Sequence, residues 1–429
     1  MSRPSPSSFP VCIMSTMDGI EIRPPREEEF HAAVGVVCTA FGEQPTEEDE
    51  RIYRLAFPLE RALCAFEGGK MVATSTVLSM ELTLPGGSAV PAGGLTWVGV
   101  LPTHRRRGII RQLVAAQFTG MVHRGEPVST LLASEGNIYG RFGYGPATSV
   151  ISFSVEQPYA ALAVPVEDPG RVILLDAEEA AAELPLIYEN LRLLQPGAVS
   201  RSPGWWSEHL YDHPREREGG GGMFHAKHET VPGVADGYLS YRIREQWEGA
   251  ISLSHVLVVE LIAGDPGVYR ALWDYALNTD LCRTISFSSG RVDEPLRWLL
   301  ADPRRFRVDA LADYLWLRLL DVPRALAARA YGYPGRLVLE VTDAFPTPST
   351  SRFILSSGPA GTGGAECAPT KATPDLALGM DSLGAAYLGG VSFAALAMAG
   401  RVRELSTGAL ERADAMFRTG TAPYCVTMF

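Results

Sequence analysis

The chain has 429 residues, 46% of them hydrophobic and 20% charged, with a formal net charge of −11. At roughly 150 residues per domain, that length calls for about three structural units in a soluble globular protein. The acidic balance argues against nucleic acid or an anionic membrane as partner and favours a cationic one.

No run of about 18 uninterrupted apolar residues is present, so no membrane span is expected. The N-terminus, "MSRPSPSSFPVCIMSTMDG", lacks the apolar core of a signal peptide. It reads as a loose tail over residues 1–16 of a cytoplasmic protein, with Met14 or Met17 as alternative starts. The first unit is placed at 17–155. In it "IEIRPP" reads as a strand, and a helix starts near Glu27 with early acids that suit its positive end. "RALCAFEGGKMVATSTVLSMELTLPGG" gives two strands turning at Gly68 and Gly69. The strand "LTWVGV", the turn "LPTHRRRG", a helix to about His123, the strand "VSTLLAS" and "EGNIYGRFGYG" follow. The order predicts a layered α+β domain.

The second unit, 156–305, begins with the linker-like "PYAALAVPVEDPG" and later repeats strand, turn, helix, strand in "SHVLVVELIAGDPGVYRALWDYALNTDLCRTISFSS". Its turn is "GDPG" in place of "RRRG", with an acid where an anion would have to sit. It reads as a duplicated domain that has lost an anion site. The third unit, 306–429, mixes the strands "LWLRLL", "RLVLEV" and "RFILSS" with the helices "FAALAMAGRVREL" and "ALERADAMF". "SSGPAGTGGAECAPTKATPD" is expected to be a long loop. The chain ends on Val426, Met428 and Phe429, an apolar terminus expected to be packed.

Arg105, Arg106, Arg107 and Gly108 stand between a strand closed by Pro102 and a helix on which Ile109, Ile110, Leu113 and Val114 recur. The free N–H groups and dipole of a helix N-terminus favour an anion there, and guanidinium groups add bidentate phosphate contacts. Neither a GxGxxG turn nor a Walker A lysine accompanies them, so coenzyme A suits the turn better than a dinucleotide. Acyl transfer from a thioester to an amine also needs a proton for the departing thiolate, which a phenol of pKa about 10 can give. Tyr139 is the candidate, with core packing as the alternative for it and for Tyr144.

Together these elements resemble the GNAT superfamily of N-acetyltransferases. The strings "VLPTHRRRGIIRQL" and "ASEGNIYGRFGYGPAT" closely resemble the Eis (enhanced intracellular survival) family of bacterial aminoglycoside acetyltransferases. The resemblance implies an active GNAT-like domain, a degenerate second one and a sterol-carrier-protein-like C-terminal domain. It implies acetyl-CoA as co-substrate, held by Val98, Val100, Arg105, Arg106, Arg107, Gly108, Ile109, Ile110 and Ser134. It further implies Tyr139 as general acid and the C-terminal carboxylate, here that of Phe429, as base. Ile110 stands where the wider superfamily has a small residue. By analogy of position, Phe41 and Glu43 belong to the substrate entrance. The implied acceptors are amines of aminoglycosides or similar polycationic small molecules, acetylated at several positions in a spacious acidic pocket of a hexameric enzyme. A peptide-lysine or polyamine acetyltransferase, or a non-catalytic protein binding lipid and acetyl-CoA, are the alternatives.

The six cysteines are scattered without metal-ligand spacing and read as reduced, inert thiols. The pairs His209/His213 and His225/His228 come without a plausible third ligand, so no metal is expected. Trp205 and Trp206 read as packing residues. The acidic runs "REEEF" and "EEDE" read as helix-start and solvated charges.

Overall fold

The computed structural model describes residues 14–17, 19–167, 170–217, 219–358 and 364–429. The expected tail lies outside these residues except for its last three, which open strand β1 (Met14–Met17), paired with β2 (Ile20–Arg23). Helices α1 (Phe30–Phe41) and α2 (Glu47–Ala56) follow. The acids of "EEDE" do more than solvate. Thr46 and Asp49 form a capping box on α2, and Asp49, 2% exposed, is ion-paired with Arg215 at 2.9 Å.

β3 (Leu63–Glu67) turns at Gly68 and Gly69 into β4 (Lys70–Thr83), and β4 pairs antiparallel with β5 (Ala89–Val100). Helix α3 (Ile109–His123) then carries the chain to β6 (Val128–Leu132), parallel to β5. The short helix α4 (Gly136–Tyr139) leads to β7 (Gly145–Pro146). Between β6 and β7 lies a strand from far down the chain, Leu315–Leu319, antiparallel to both. The sequence placed that strand with the third unit. All five of its residues are buried, and a strand covered on both faces has no alternation to reveal its sheet.

β8 (Ser149–Glu156), expected to close the first unit, lies instead in the second sheet. That sheet continues with β9 (Arg171–Leu175) and, after helices α5 (Ala177–Leu191) and α6 (Pro203–Tyr211), β10 (Phe224–Val231) and β11 (Val234–Arg244). β12 (Trp247–Glu248) and β13 (Ile251–Ser252) make a separate ribbon. β14 (Ser254–Ala263), α7 (Pro266–Leu277) and β15 (Cys282–Arg291) repeat the parallel crossover of the first sheet. β16 (Arg307–Asp313) pairs with β8 at the edge, and β17 is the inserted strand Leu315–Leu319.

The third sheet holds β18 (Gly335–Asp343), β19 (Ser349–Ser357), β20 (Ala365–Pro369), β21 (Leu376–Gly379) and β22 (Val402–Glu404). The expected long loop contains β20, which extends the β18–β19 ladder. The expected helix "FAALAMAGRVREL" stops at Met398. Gly400 at φ +74° breaks the turn, and Val402–Glu404 continue as strand. One core runs from Met80, Leu82 and Val90 through Leu315 and Leu317 to Leu339, Phe393 and Phe417, joining the third unit to the first sheet. Phe153, Trp273 and Phe287 centre a separate core in the second.

Candidate active site

Strands β5 and β6 pair only from Ala92 to Gly94, while β5 runs on to Val100. Against β4, a bulge sets Trp97 and Val98 opposite Ser75, and Trp97 takes φ +54°. A bulge re-aims side chains. Here it stacks the Trp97 ring edge-on against Phe57 at 4.8 Å and Tyr53 at 5.3 Å. Val98 is half-buried, and Val100 packs with Ile109 and Leu113 under the start of α3.

Arg105, Arg106, Arg107 and Gly108 are exposed on the turn into α3, and Ile110 is half-buried. Gly108, at φ +77°, occupies the N-cap position with no side chain accepting from the first-turn N–H groups. A Cβ there would meet nothing, so the backbone conformation is what calls for glycine. Two of the three guanidinium groups serve the chain itself. Arg105 donates to the Ala40 carbonyl at 3.0 Å, and Arg107 to Glu67 at 2.7 Å. The bonds from Arg107 and His104 pull the Glu67 carboxyl down to about 2. Arg106, at φ +64°, bonds to none of the described residues. An uncapped helix start beside arginine is a fitting cradle for phosphate.

Tyr139 ends α4 and is 6% exposed. Burial pushes the phenol up, and the nearby Ser134 hydroxyl opposes the shift. Tyr144 is a core residue. Its hydroxyl pairs with Ser129 at 2.6 Å, and Ser129 donates to the Gly93 carbonyl at 3.1 Å, fastening β6 to β5 where their pairing ends. The turn after Tyr139 closes over Arg318, which donates to the Phe142 carbonyl at 2.6 Å and pairs with Asp343 at 2.6 Å. Gly143, at φ +79°, is required there, because a Cβ would lie 2.0 Å from the Arg318 Nη1.

The last residue reaches the same strand. A Cβ on Gly94 would lie 3.0 Å from Cε2 of Phe429. Leu95, the next residue and therefore on the opposite face, belongs to the cluster that contains Tyr139, Phe118 and Tyr144. Phe429 thus meets β5 where it leaves β6, and Tyr139 belongs to the core cluster under the other face of that strand.

Phe429 also lines a cavity of about 550 Å³ between the two sheets. The first unit contributes Ala56, Leu78, Thr96 and Trp97, but Phe41, at the end of α1, and Glu43 just after it lie exposed, outside the lining. Most of the wall comes from the second unit, which the sequence reading had set aside. Trp205, read as packing, lines the cavity, stacks on His209 at 4.7 Å and donates to the Met428 carbonyl at 2.7 Å. Trp206 is buried, as read. Burial pushes the His209 imidazole down to about 4. Nor is the cavity acidic. Its wall carries Arg201, Arg215, Arg217 and Arg242 against Glu208 and Glu260. The arginines are paired with Glu260, Asp49, Asp212 and Asp212 respectively, so the wall is close to balanced. The net charge of the chain is carried elsewhere, because composition does not say which face holds it. The local string "RSPGWWSEH" was the available signal for this wall.

Family comparison agrees with the architecture. Residues 21–147 and 197–319 each match an acetyltransferase (GNAT) domain, and 322–426 match a sterol carrier protein domain. The N-acetyltransferase Eis of Mycobacterium tuberculosis is 33% identical over 404 residues, covering 92% of this chain and 95% of its own. The chain belongs to the Eis family of N-acetyltransferases. An uncharacterized N-acetyltransferase of Streptomyces griseus is 38% identical over 420 residues, 96% of this chain and 100% of that one. The crystal structure of Eis1 from Mycobacterium abscessus matches with a TM-score of 0.83 at 36% identity, over 96% of this chain and 100% of that one. Eis-family membership makes the chain an acetyltransferase with two GNAT folds and a sterol-carrier-like third domain. No helix among the described residues is long and apolar enough to cross a membrane.

Proposed function

We propose that the chain transfers an acetyl group from acetyl-CoA to the amine of a small molecule held in the cavity between the sheets. The observation that carries this reading is that β5 leads to the uncapped start of α3 while Phe429 reaches it at Gly94, where it leaves β6. Arg106, the α3 N–H groups and the unpaired edge at Val98 and Val100 hold the coenzyme, with Ser134 also beside it. The acceptor nitrogen attacks the thioester carbonyl, and collapse of the adduct expels the thiolate. Tyr139, kept neutral by burial, donates a hydrogen bond and then its proton to that sulfur. The terminal carboxylate of Phe429 takes the proton lost by nitrogen. A carboxylate of ordinary pKa about 3.5 is a weak base, and partial desolvation beside the Phe429 ring strengthens it.

Aminoglycosides acetylated at more than one position are the acceptors supported by the family resemblance, as is self-assembly into a hexamer. The balanced cavity wall favours a different acceptor, one with a single amine on an aromatic or hydroxylated body. Mass spectrometry of neomycin, spermidine, a lysine peptide and phenethylamine after incubation with acetyl-CoA separates these readings. Successive mass increments on neomycin support the first, and a single increment on phenethylamine supports the second. Coenzyme binding with no mass increment on any of the four sinks the enzymatic proposal.

A further inference from the structure

We infer that Thr427, gripped by Arg201 and Tyr188 of the second acetyltransferase fold, positions the terminal carboxylate of Phe429 for proton removal. The inference rests on the reading of that carboxylate as base. Thr427 is 2% exposed, and its Oγ1 lies 3.0 Å from Arg201 Nε and 3.2 Å from the Tyr188 hydroxyl. On either side of it, the Met428 carbonyl accepts from Trp205 Nε1 at 2.7 Å and the Val426 carbonyl from the Tyr314 hydroxyl at 3.1 Å. A frayed terminus has no use for bonds at three successive residues.

The far side of Arg201 shows why an arginine is there. Nη1 and Nη2 hold Glu260 at 3.0 and 2.5 Å, and the guanidinium lies over the rings of Tyr188 at 3.7 Å and Trp205 at 4.2 Å. Burying an ion pair is a poor route to stability, since well-packed apolar residues do as well. What the pair supplies is a rigid planar fork: the two Nη groups face Glu260, with Nη1 also 3.4 Å from the Tyr238 hydroxyl, and the Nε–H on the other edge is turned to Thr427. A lysine in its place could not hold Glu260 in a fork and Thr427 together. The second fold therefore acts on the reaction through the C-terminal strap, two residues from the carboxylate.

The full chain is tested as Thr427→Val, with Thr427→Ser as rescue and a one-glycine extension after Phe429 as the control on the base itself. The acceptor is whichever of neomycin, spermidine, the lysine peptide or phenethylamine turns over. Thr427→Val is expected to lower kcat at least about tenfold, with KM for acetyl-CoA within about twofold of the parent. Its rate should climb with pH through about 9, because the acceptor must then arrive already deprotonated. Thr427→Ser, which keeps the hydroxyl, should recover most of the rate. If the extension lowers kcat while Thr427→Val turns over like the parent, the positioning role is overturned and the base stands. If the extension leaves kcat unchanged, the base reading falls and this inference with it. Should Thr427→Val fail to fold, Trp205→Phe removes the donor to Met428 from the cavity wall. A fall in kcat of about threefold at constant acetyl-CoA KM supports the strap, and an unchanged kcat overturns it.

Discussion

The two acetyltransferase folds set a helix between parallel strands in the same way and differ at the first turn of that helix. At α3, Gly108 leaves the N-terminal N–H groups uncapped beside Arg106. At α7, the Asp265 carboxylate accepts from Gly267 N at 2.6 Å and Val268 N at 3.1 Å, and Pro266 removes one donor altogether. The same N-terminal groups are left open in one copy and capped in the other. The strands tell a parallel story. β14 carries a bulge near Val259, and its pairing with β15 ends at Phe287, as β5 is bulged and leaves β6 at Gly94. Past that point the C-terminal strap reaches the second fold, where the Tyr424 hydroxyl donates to the Ser289 carbonyl at 2.6 Å beside the cavity. The open edge of the second sheet seats the C-terminal strap instead.

The strongest way to break the contrast is at Tyr139, the proton donor we propose for the first fold. Tyr139→Phe is expected to lower kcat at least about a hundredfold with little change in acetyl-CoA KM, and parent-like turnover would remove Tyr139 as the acid. Next, Gly108→Asp places at α3 the residue type that closes α7. Its carboxylate repels phosphate at the helix start, so acetyl-CoA KM should rise at least about tenfold in steady-state kinetics. The reverse change is smaller. Asp265→Ala removes a cap, and denaturant unfolding should show a loss of about 1 kcal/mol while acetyl-CoA KM stays put.

The smallest effect concerns pH. His209 sits near 4 when folded because burial disfavours its charge, against 6.5 when exposed. Between those values the unfolded chain binds a proton that the folded chain does not, so stability falls as pH drops from 6.5 toward 4. The Tm loss between about pH 7 and pH 5 should be smaller in His209→Gln than in the parent, and equal losses would contradict the shift.

Local signals were legible in the sequence and long-range ones were not. The strand, arginine turn and helix from Leu95 to His123 form as read, because Pro102, Gly108 and the apolar spacing act within a few residues. The repeat of that order in the second unit was also legible, as was the acid in "GDPG", which caps its helix. The insertion of β17 into the first sheet was not, since five buried residues carry no register. The cavity wall was missed for a related reason. Arg201, Trp205 and Glu260 come together with Phe429 only through the packing of separate folds, and none stands in a motif. The acidic pocket failed because Arg215 and Arg242 bring their own carboxylate partners to the wall.

The contrast between the two helix starts is tested most directly by calorimetric titration of the full chain with acetyl-CoA, alongside Gly108→Asp and Asp265→Ala. The predicted result is one site per chain, lost in Gly108→Asp and retained in Asp265→Ala. Two sites per chain, or one site that survives Gly108→Asp and vanishes in Asp265→Ala, would contradict it.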